Sequence, residues 1–284
     1  MSSVRSVKSI TSSKPYIEGA GVHLKRAFGY YEVPQYDPFL LLDYFGSDNP
    51  DDYLAGFPWH PHRGIETVTY VLHGSVEHGD SLGNSGVIGS GDLQWMTAGS
   101  GIIHQEMPKQ TEGRMRGLQL WVNLPASKKM MDPRYQDIQA DQPPVHSLEN
   151  GGSVKIIAGQ FEGKKGPVSE IVSDPEYLDI NIPAGESFEH SVKKGHTVFA
   201  FVLDGAGFFD NKNGDAVGEG NTVLYGDGDS LKMQSGESGL RFLLISGKPI
   251  GEPVAWRGPI VMNTDEELMT AFEEYRAGTF IKKG

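Results

Sequence analysis

The residues of this chain that could do chemistry lie in two short runs with the same spacing. His60-Pro61-His62 places two imidazoles two residues apart, and His104-Gln105-Glu106 does the same with an imidazole and a carboxylate. In an extended chain, residues two apart point to the same face. Two neighbouring strands with one such pair each could bring four ligands to one point. Three neutral nitrogens and one carboxylate suit Fe(II), Mn(II), Ni(II), Cu(II) or Zn(II).

Each pair taken alone is a weak signal, because isolated H-x-H and H-x-E sequences are more often ordinary polar residues than metal sites. The remaining histidines have no comparable partner in the sequence, and we interpret each of them as a surface or hydrogen-bonded residue. They are His23, His73, His78, His146, His190 and His196. The candidate site is therefore confined to the two pairs.

The elements that must position these pairs are predicted to be short strands. The sequence contains 37 glycines, which recur between short apolar runs, as in all-β proteins with many tight turns. Residues 67–72 are rich in β-branched and aromatic side chains. Similar runs are residues 117–124, 154–158, 177–182, 197–203 and 240–246. Strands at this density predict a barrel or a sandwich.

Two segments have helical features. Residues 126–139 are interrupted by Pro133 and predict at most a short helical turn. Near the end of the chain, Thr264 and Glu267 form a capping box, apolar residues follow at helical spacing, and Gly278 supplies a stop. One short C-terminal helix is therefore expected.

The two halves of the chain resemble each other. Residues 71–74 (VLHG) recur 131 residues later as residues 202–205 (VLDG), and the Gly91-Asp92 pair recurs as Gly228-Asp229. A repeat of this size predicts two copies of one domain. A polar, turn-rich stretch near residues 141–152 separates them, so we expect an N-terminal domain of residues 1–145 and a C-terminal domain of residues 146–284.

Composition excludes several classes of function. The net charge is −12, and lysines and arginines are scattered, which disfavours direct binding of nucleic acid. The absence of cysteine excludes disulfides and thiolate metal sites. No run approaches the roughly 20 apolar residues of a membrane helix, and residues 1–14 lack the apolar core of a signal peptide. We expect a cytoplasmic protein, or a nuclear one if the source is eukaryotic.

A longer context surrounds both pairs. Residues 56–68 read GFPWHPHRGIETV, and residues 91–108 read GDLQWMTAGSGIIHQEMP. Further characteristic stretches are residues 37–41 (DPFLL), 117–124 (GLQLWVNL) and 258–264 (GPIVMNT). Together these motifs closely resemble the pirin family over nearly the whole chain.

The resemblance implies a bicupin, in which two cupin (jelly-roll) β-barrels are followed by a short C-terminal helix. It also implies one metal ion in the N-terminal barrel, with iron as Fe(II) before Mn, Ni, Cu or Zn. The family's ligands carry over to His60, His62, His104 and Glu106, all of which are present. Glu66 stands where many cupins place a ligand, and the resemblance implies a position behind the ligands, where a carboxylate orients an imidazole.

The same resemblance implies one of two roles. Some members are quercetin 2,3-dioxygenases, which open the central ring of a flavonol with O2 and release carbon monoxide. In that role Glu106 would also act as a base, and Phe57, Trp95 and Met96 would either line a pocket for a flat aromatic substrate or belong to the core. Other members are redox-sensitive cofactors of transcription regulators, and such a chain would bind a protein partner and turn over no substrate.

We predict that the second repeat binds no metal, so that purified protein contains one transition-metal ion per chain. The positions that correspond to the four candidate ligands are Ser191, Lys193, Arg241 and Leu243. None is a good ligand, and the two cationic side chains would repel a metal ion. Elemental analysis measures the stoichiometry. A second ion within residues 153–250, seen by anomalous scattering at near-full occupancy, would show that the repeat has been misread.

Overall fold

The computed structural model describes residues 3–209 and 214–282, most of which lie in β-strands. In chain order the strands are β1 (Val7–Ser12), β2 (Lys14–Glu18), β3 (Val22–Phe28), β4 (Phe39–Ser47), β5 (Phe57–His62), β6 (Ile65–His73), β7 (Val76–Asp80), β8 (Ser85–Ile88), β9 (Leu93–Thr97), β10 (Ile102–Pro108), β11 (Met115–Asn123), β12 (Arg134–Ile138), β13 (Val145–Ser147), β14 (Ser153–Ala158), β15 (Gln160–Phe161), β16 (Lys164–Lys165), β17 (Glu176–Ile182), β18 (Ser187–Ser191), β19 (Thr197–Phe208), β20 (Val217–Gly218), β21 (Asn221–Tyr225), β22 (Ser230–Gly247), β23 (Ala255–Arg257) and β24 (Ile260–Met262). The helices are α1 (Val33–Tyr36), α2 (Asp265–Arg276) and two 3-10 turns, Pro50–Asp52 and Ala126–Lys128.

The described chain divides into two compact units, each built from two separate segments. The larger unit comprises residues 14–140 and 250–284, and the smaller unit comprises residues 1–13 and 141–249. This division differs from the predicted one, residues 1–145 and 146–284, at both ends of the chain. Strand β1 belongs to the smaller unit because it pairs with β21, and helix α2 belongs to the larger unit because it packs there.

The larger unit contains two main antiparallel sheets. One has the strand order β5-β10-β7-β8, and the other has the order β12-β9-β6-β11-β4-β3-β2. Strand β6 lies in the interior of the second sheet, and its first seven residues are all buried, as its β-branched and aromatic composition predicts. One core cluster includes Leu24, Phe45, Val71 and Met115, with Phe57 of β5 packed against it.

The smaller unit is built around one large antiparallel sheet of order β1-β21-β19-β22-β17-β14-β13, to which β18 and β20 are added by pairing with β22 and β19. Its longest strand, β22, covers 18 residues and pairs with β17, β18 and β19. Two of the side chains that correspond to candidate ligands in the sequence repeat form ion pairs in this unit. Lys193 pairs with Asp174, and Arg241 pairs with Asp179 at 2.7 Å.

The sequence repeat is visible as a repeated backbone conformation. Gly74 directly follows β6 and Gly205 lies at an irregularity within β19, and both have positive φ, at 97° and 73°. At Gly205 a Cβ would lie 2.2 Å from the carbonyl oxygen of Gly239, so a side chain there would clash with backbone. The shared glycine is therefore required by the backbone conformation in at least the second copy.

Helix α2 begins and ends where the sequence predicts. The Thr264 side chain accepts a hydrogen bond from the Glu267 backbone, and the Glu267 carboxylate accepts one from the Thr264 backbone. Gly278 has φ 71° just after the helix. Residues 126–139 contain one 3-10 turn and then strand β12, as expected from Pro133. No helix in the described part of the chain is long and apolar enough to span a membrane.

Two buried cations hold the C-terminal segment inside the larger unit. Arg63 donates to the carbonyls of Ser100 and Phe280 at 2.7 and 2.8 Å and pairs with Glu274 at 2.7 Å. The Nζ of Lys129 donates to the Gly64 carbonyl at 2.9 Å and to two further acceptors, the side chain of Asn123 and the carbonyl of Val261. Both cations join the segment to residues that directly follow His62.

We predict that Lys129→Met lowers the free energy of unfolding by about 3 kcal/mol, because it leaves three buried acceptors without a donor. Denaturant titration measures the loss. Lys128→Met is the matched control, since Lys128 is the exposed neighbour and should change stability by less than about 0.5 kcal/mol. Equal effects of the two substitutions would show that the buried ammonium does not fasten the segment.

Candidate metal centre

The two histidine-containing runs lie on neighbouring antiparallel strands. Strand β10 pairs with β5 in a register that places His104 opposite His60, and the register shifts between His104 and Glu106. The structure brings the imidazoles of His60, His62 and His104 together, with ligand atoms all within 4.8 Å of one another. Among the described residues this group contains no carboxylate.

The hydrogen bonds of the rings determine which nitrogens face the centre. The Nδ1 of His60 lies 2.8 Å from the carbonyl oxygen of Pro58, and the Nδ1 of His62 lies 3.0 Å from that of Pro259. A carbonyl oxygen only accepts, so each Nδ1 carries the proton and each Nε2 of a neutral ring has a free lone pair. The Nε2 of His60 lies 3.1 Å from that of His62 and 3.0 Å from that of His104.

This arrangement fits a bound cation. Lone pairs of neutral imidazoles repel one another at 3 Å unless a positive charge lies between them, and a divalent transition metal supplies such a charge. Burial and the neighbouring histidines, His60 and His104, lower the pKa of His62 well below its usual value. Burial, His60 and His78 do the same to the pKa of His104. Both rings are therefore neutral and able to ligate at pH 7.

Glu106 is buried on the same strand as His104, but other side chains hold its carboxylate. Thr69 donates to its Oε1 at 2.8 Å, and the amide of Gln119 donates to its Oε2 at 3.0 Å. These two neutral donors fix the orientation of the carboxylate. The role of Glu106 as a fourth ligand thus stays a prediction.

Other residues named from the sequence lie in different surroundings. Glu66 is buried and accepts a hydrogen bond from Thr97 at 2.7 Å, whereas no imidazole hydrogen-bonds to it in the described part of the chain. Trp95 and Met96 are buried in the core, and Phe57 lines a cavity beside the histidines. His78, expected to be an ordinary polar residue, lies opposite Glu106 in the β10–β7 pair and hydrogen-bonds to Gln94.

A cavity of about 560 Å³ opens beside His60 and His62. Its volume is within the range of about 300–1,000 Å³ for small-molecule pockets. Gln119, which holds Glu106, is part of its wall. Its aromatic lining is Tyr16, Tyr30, Phe57, Trp121 and Trp256.

The charged groups of the cavity wall form one cluster. The guanidinium of Arg26 binds the Asp43 carboxylate through two hydrogen bonds, of 2.8 and 2.7 Å, and lies 3.3 Å from a carboxylate oxygen of Glu18. Its carbon lies 3.9 Å from the centre of the Tyr16 ring. With both acids ionised the cluster carries one net negative charge, so the wall disfavours anionic ligands.

Sequence reasoning missed most of this wall. Gln119 and Trp121 lie within residues 117–124, a stretch that resembles the pirin family. The resemblance marked these residues but did not indicate that they line a cavity. Arg26, Asp43 and Trp256 lie far apart in the sequence and meet only because β3 pairs with β4 and the C-terminal segment belongs to the larger unit.

Comparison with known proteins covers most of the chain. The Pirin family model matches residues 21–122, and the model of the Pirin C-terminal cupin domain matches residues 177–281. The chain belongs to the pirin family. A pirin-like protein of Caulobacter vibrioides is 46% identical over 98% of this chain and 99% of its own length. Pirin of Homo sapiens is 39% identical over 97% of this chain and 94% of its own.

Solved structures support the same assignment. The crystal structure of a quercetin 2,3-dioxygenase from Acinetobacter baumannii superposes with a TM-score of 0.90, at 33% identity, covering 98% of this chain and 99% of that one. The predicted all-β bicupin, with two cupin domains and a short C-terminal helix, is therefore confirmed. This pirin carries a three-histidine group suited to a metal ion in its first cupin domain.

We predict that His62→Ala lowers the metal content of the purified protein to a small fraction of the wild-type value while the fold survives. The substitution removes one of three converging nitrogens, and the barrel core consists of other residues. Elemental analysis and the thermal unfolding midpoint measure the two effects. His73→Ala, at an exposed histidine of β6, is the matched control and should keep its metal. Full metal content in the His62 variant would place the site elsewhere.

Proposed function

We propose that this pirin is a metal-dependent dioxygenase that opens the ring of a flavonol such as quercetin with O2 and releases carbon monoxide. Its metal ligands are His60, His62, His104 and Glu106, and its metal is iron as Fe(II), ahead of Mn, Ni, Cu or Zn. The observation that carries the proposal is the convergence of three imidazole lone pairs at the edge of an aromatic cavity of suitable size. The similarity to a structure named as a quercetin 2,3-dioxygenase supports it.

The cavity wall favours a flat, uncharged substrate rich in hydroxyl groups. Trp121, Trp256 and Phe57 offer ring faces and edges for contact with an aromatic ligand and exclude water from it. The Arg26–Asp43–Glu18 cluster offers acceptors to hydroxyl groups, while its net negative charge disfavours carboxylates. A flavonol meets these requirements better than an aromatic acid does.

When bound, the metal would supply a Lewis acid for the flavonol 3-hydroxyl, lowering its pKa. The chain supplies the base. Glu106 accepts the hydroxyl proton at Oε2, the oxygen that Gln119 links to the cavity wall. Thr69 holds the other oxygen and so keeps the carboxylate from rotating. Burial of Glu106 keeps competing water away from the proton.

The direct test is stoichiometric turnover. Metal-loaded protein mixed with quercetin in buffer containing O2 should consume one O2 and release one carbon monoxide per flavonol. Taxifolin, which has the same hydroxyl groups without the 2,3 double bond, serves as a substrate control and should not react. Metal binding and quercetin binding without carbon monoxide release would overturn the dioxygenase and favour the non-catalytic, redox-sensing role.

We predict that Glu106→Gln lowers the turnover number by about 10²–10⁴-fold, the range for loss of a general base. The amide keeps the shape of the side chain, so metal content should fall much less than turnover does. Oxygen consumption and elemental analysis on the same sample separate the two effects. Glu77→Gln, at a half-exposed glutamate of β7 that pairs with Lys109, is the control and should keep its activity. A parallel loss of metal and turnover at Glu106 would make it a ligand without a role as base.

A further inference from the structure

A continuous row of aromatic side chains runs from the candidate metal centre to the protein surface. The ring of Trp121 lies 5.1 Å from that of His62, measured between ring centres. The ring of Trp256 lies 5.7 Å from Trp121, and that of Tyr30 lies 5.6 Å from Trp256. Tyr31 ends the row, 5.6 Å from Tyr30. Each step is within the contact range of aromatic pairs, about 4.5–7 Å.

Solvent exposure increases along this row. His62 is 1% exposed, and Trp121 and Trp256 are partly buried against the same apolar cluster. Tyr30 is 60% exposed and Tyr31 is 88% exposed. The Nε1 of Trp256 donates to the Gly258 carbonyl at 2.7 Å, which fixes the ring in the middle of the row.

The order of residue types suits the transfer of single electrons. Indole and phenol rings lose an electron more readily than other rings in proteins. Because tunnelling slows exponentially with distance, several short steps carry a charge farther than one long step. Oxidation of tyrosine also releases its phenolic proton, and water can take that proton where the tyrosines are exposed. The two tryptophans lie at the buried end of the row and the two tyrosines at the solvent-exposed end, which is the order that these properties favour.

We propose that Trp121, Trp256, Tyr30 and Tyr31 form a relay that carries an oxidising equivalent from the metal centre to the surface. The proposal rests on the proposed metal site, because His62 is the inner end of the row. It adds a function to that site: when no flavonol is present to be oxidised, the relay removes oxidising equivalents before they damage the three histidines.

The chemistry balances with hydrogen peroxide as oxidant. Hydrogen peroxide takes two electrons and two protons and becomes two water molecules. A bound Fe(II) would supply one electron and become Fe(III), and Tyr31 would supply the other through the relay. Tyr31 becomes a neutral phenoxyl radical and releases its phenolic proton, so one further proton is taken from solvent. A soluble one-electron reductant such as ascorbate then returns an electron, and a proton restores the phenol.

The experiment must distinguish a relay from a role of these rings in the cavity wall alone. Tyr30, Trp121 and Trp256 also line the cavity, so they would contact substrate even without a relay. Tyr31 does not line the cavity, and a role in the cavity wall alone gives it no part in redox chemistry. Trp256→Phe keeps an aromatic ring and removes the easily oxidised indole, and Tyr31→Phe removes only the phenol.

The experiment uses the full chain loaded with Fe(II), without flavonol, mixed with hydrogen peroxide and frozen within milliseconds. Electron paramagnetic resonance should show a tyrosyl radical in the wild type. The radical should disappear in the Tyr30→Phe/Tyr31→Phe double variant and fall severalfold in Trp256→Phe. Peptide mass spectrometry should then show more oxidised histidine at His60, His62 and His104 in these variants.

Two controls match the relay residues by type. Trp59→Phe changes an exposed tryptophan of β5 outside the row, and Tyr275→Phe changes a partly exposed tyrosine of α2. Both should give the wild-type radical yield. Tyr31→Phe alters a side chain that is almost fully exposed, so a folded variant is available even if Trp256→Phe is unstable.

Failure of the relay is distinguishable from failure of the metal site. If elemental analysis finds that the wild type binds no transition metal even after loading with Fe(II), the proposed function fails and the relay fails with it. If iron binds and depends on His62, yet the relay variants form as much tyrosyl radical and as little oxidised histidine as the wild type, the relay alone is overturned. A radical that persists in the tyrosine double variant would also overturn it.

Discussion

The candidate metal centre of the larger unit depends on holding the Nε2 of His60 about 3 Å from the Nε2 atoms of His62 and His104. Such rings repel one another without a cation, so the surrounding structure must hold them in place. Pairing of β5 with β10 places His60 opposite His104. Backbone carbonyls of Pro58 and Pro259 then fix the tautomers of His60 and His62. Backbone groups thus orient two of the three histidines of this group.

Much of this could be predicted from the sequence because the signals are local. The H-x-H spacing needs only an extended chain to place both rings on one face, and the capping box at Thr264 needs only its own four residues. The two cupin domains are indicated by repeated glycines with positive φ, such as Gly74 and Gly205. Patterns of this kind predict the structure correctly because they do not depend on residues distant in the sequence.

What could not be predicted depends on long-range packing. Pro259 orients His62 from 197 positions away, and no local pattern indicates that the final segment returns to the first domain. The ion pair of buried Arg63 with Glu274, which holds that segment, could not be predicted for the same reason. The cavity and the aromatic row both include Trp256. The predicted domain boundary at residue 145 assigned Trp256 to the other domain, so neither feature could be predicted.

The exchange of chain ends between the two units has a consequence for synthesis on the ribosome. A protein emerges from its N-terminus, and domains usually fold in that order. Here the first unit to emerge cannot be completed until residues 250–282 have left the exit tunnel, because Arg63, Lys129 and His62 find their partners there. The nascent chain therefore cannot orient His62 through Pro259 until that segment has emerged, so the histidine group and the cavity beside it are completed in the same step.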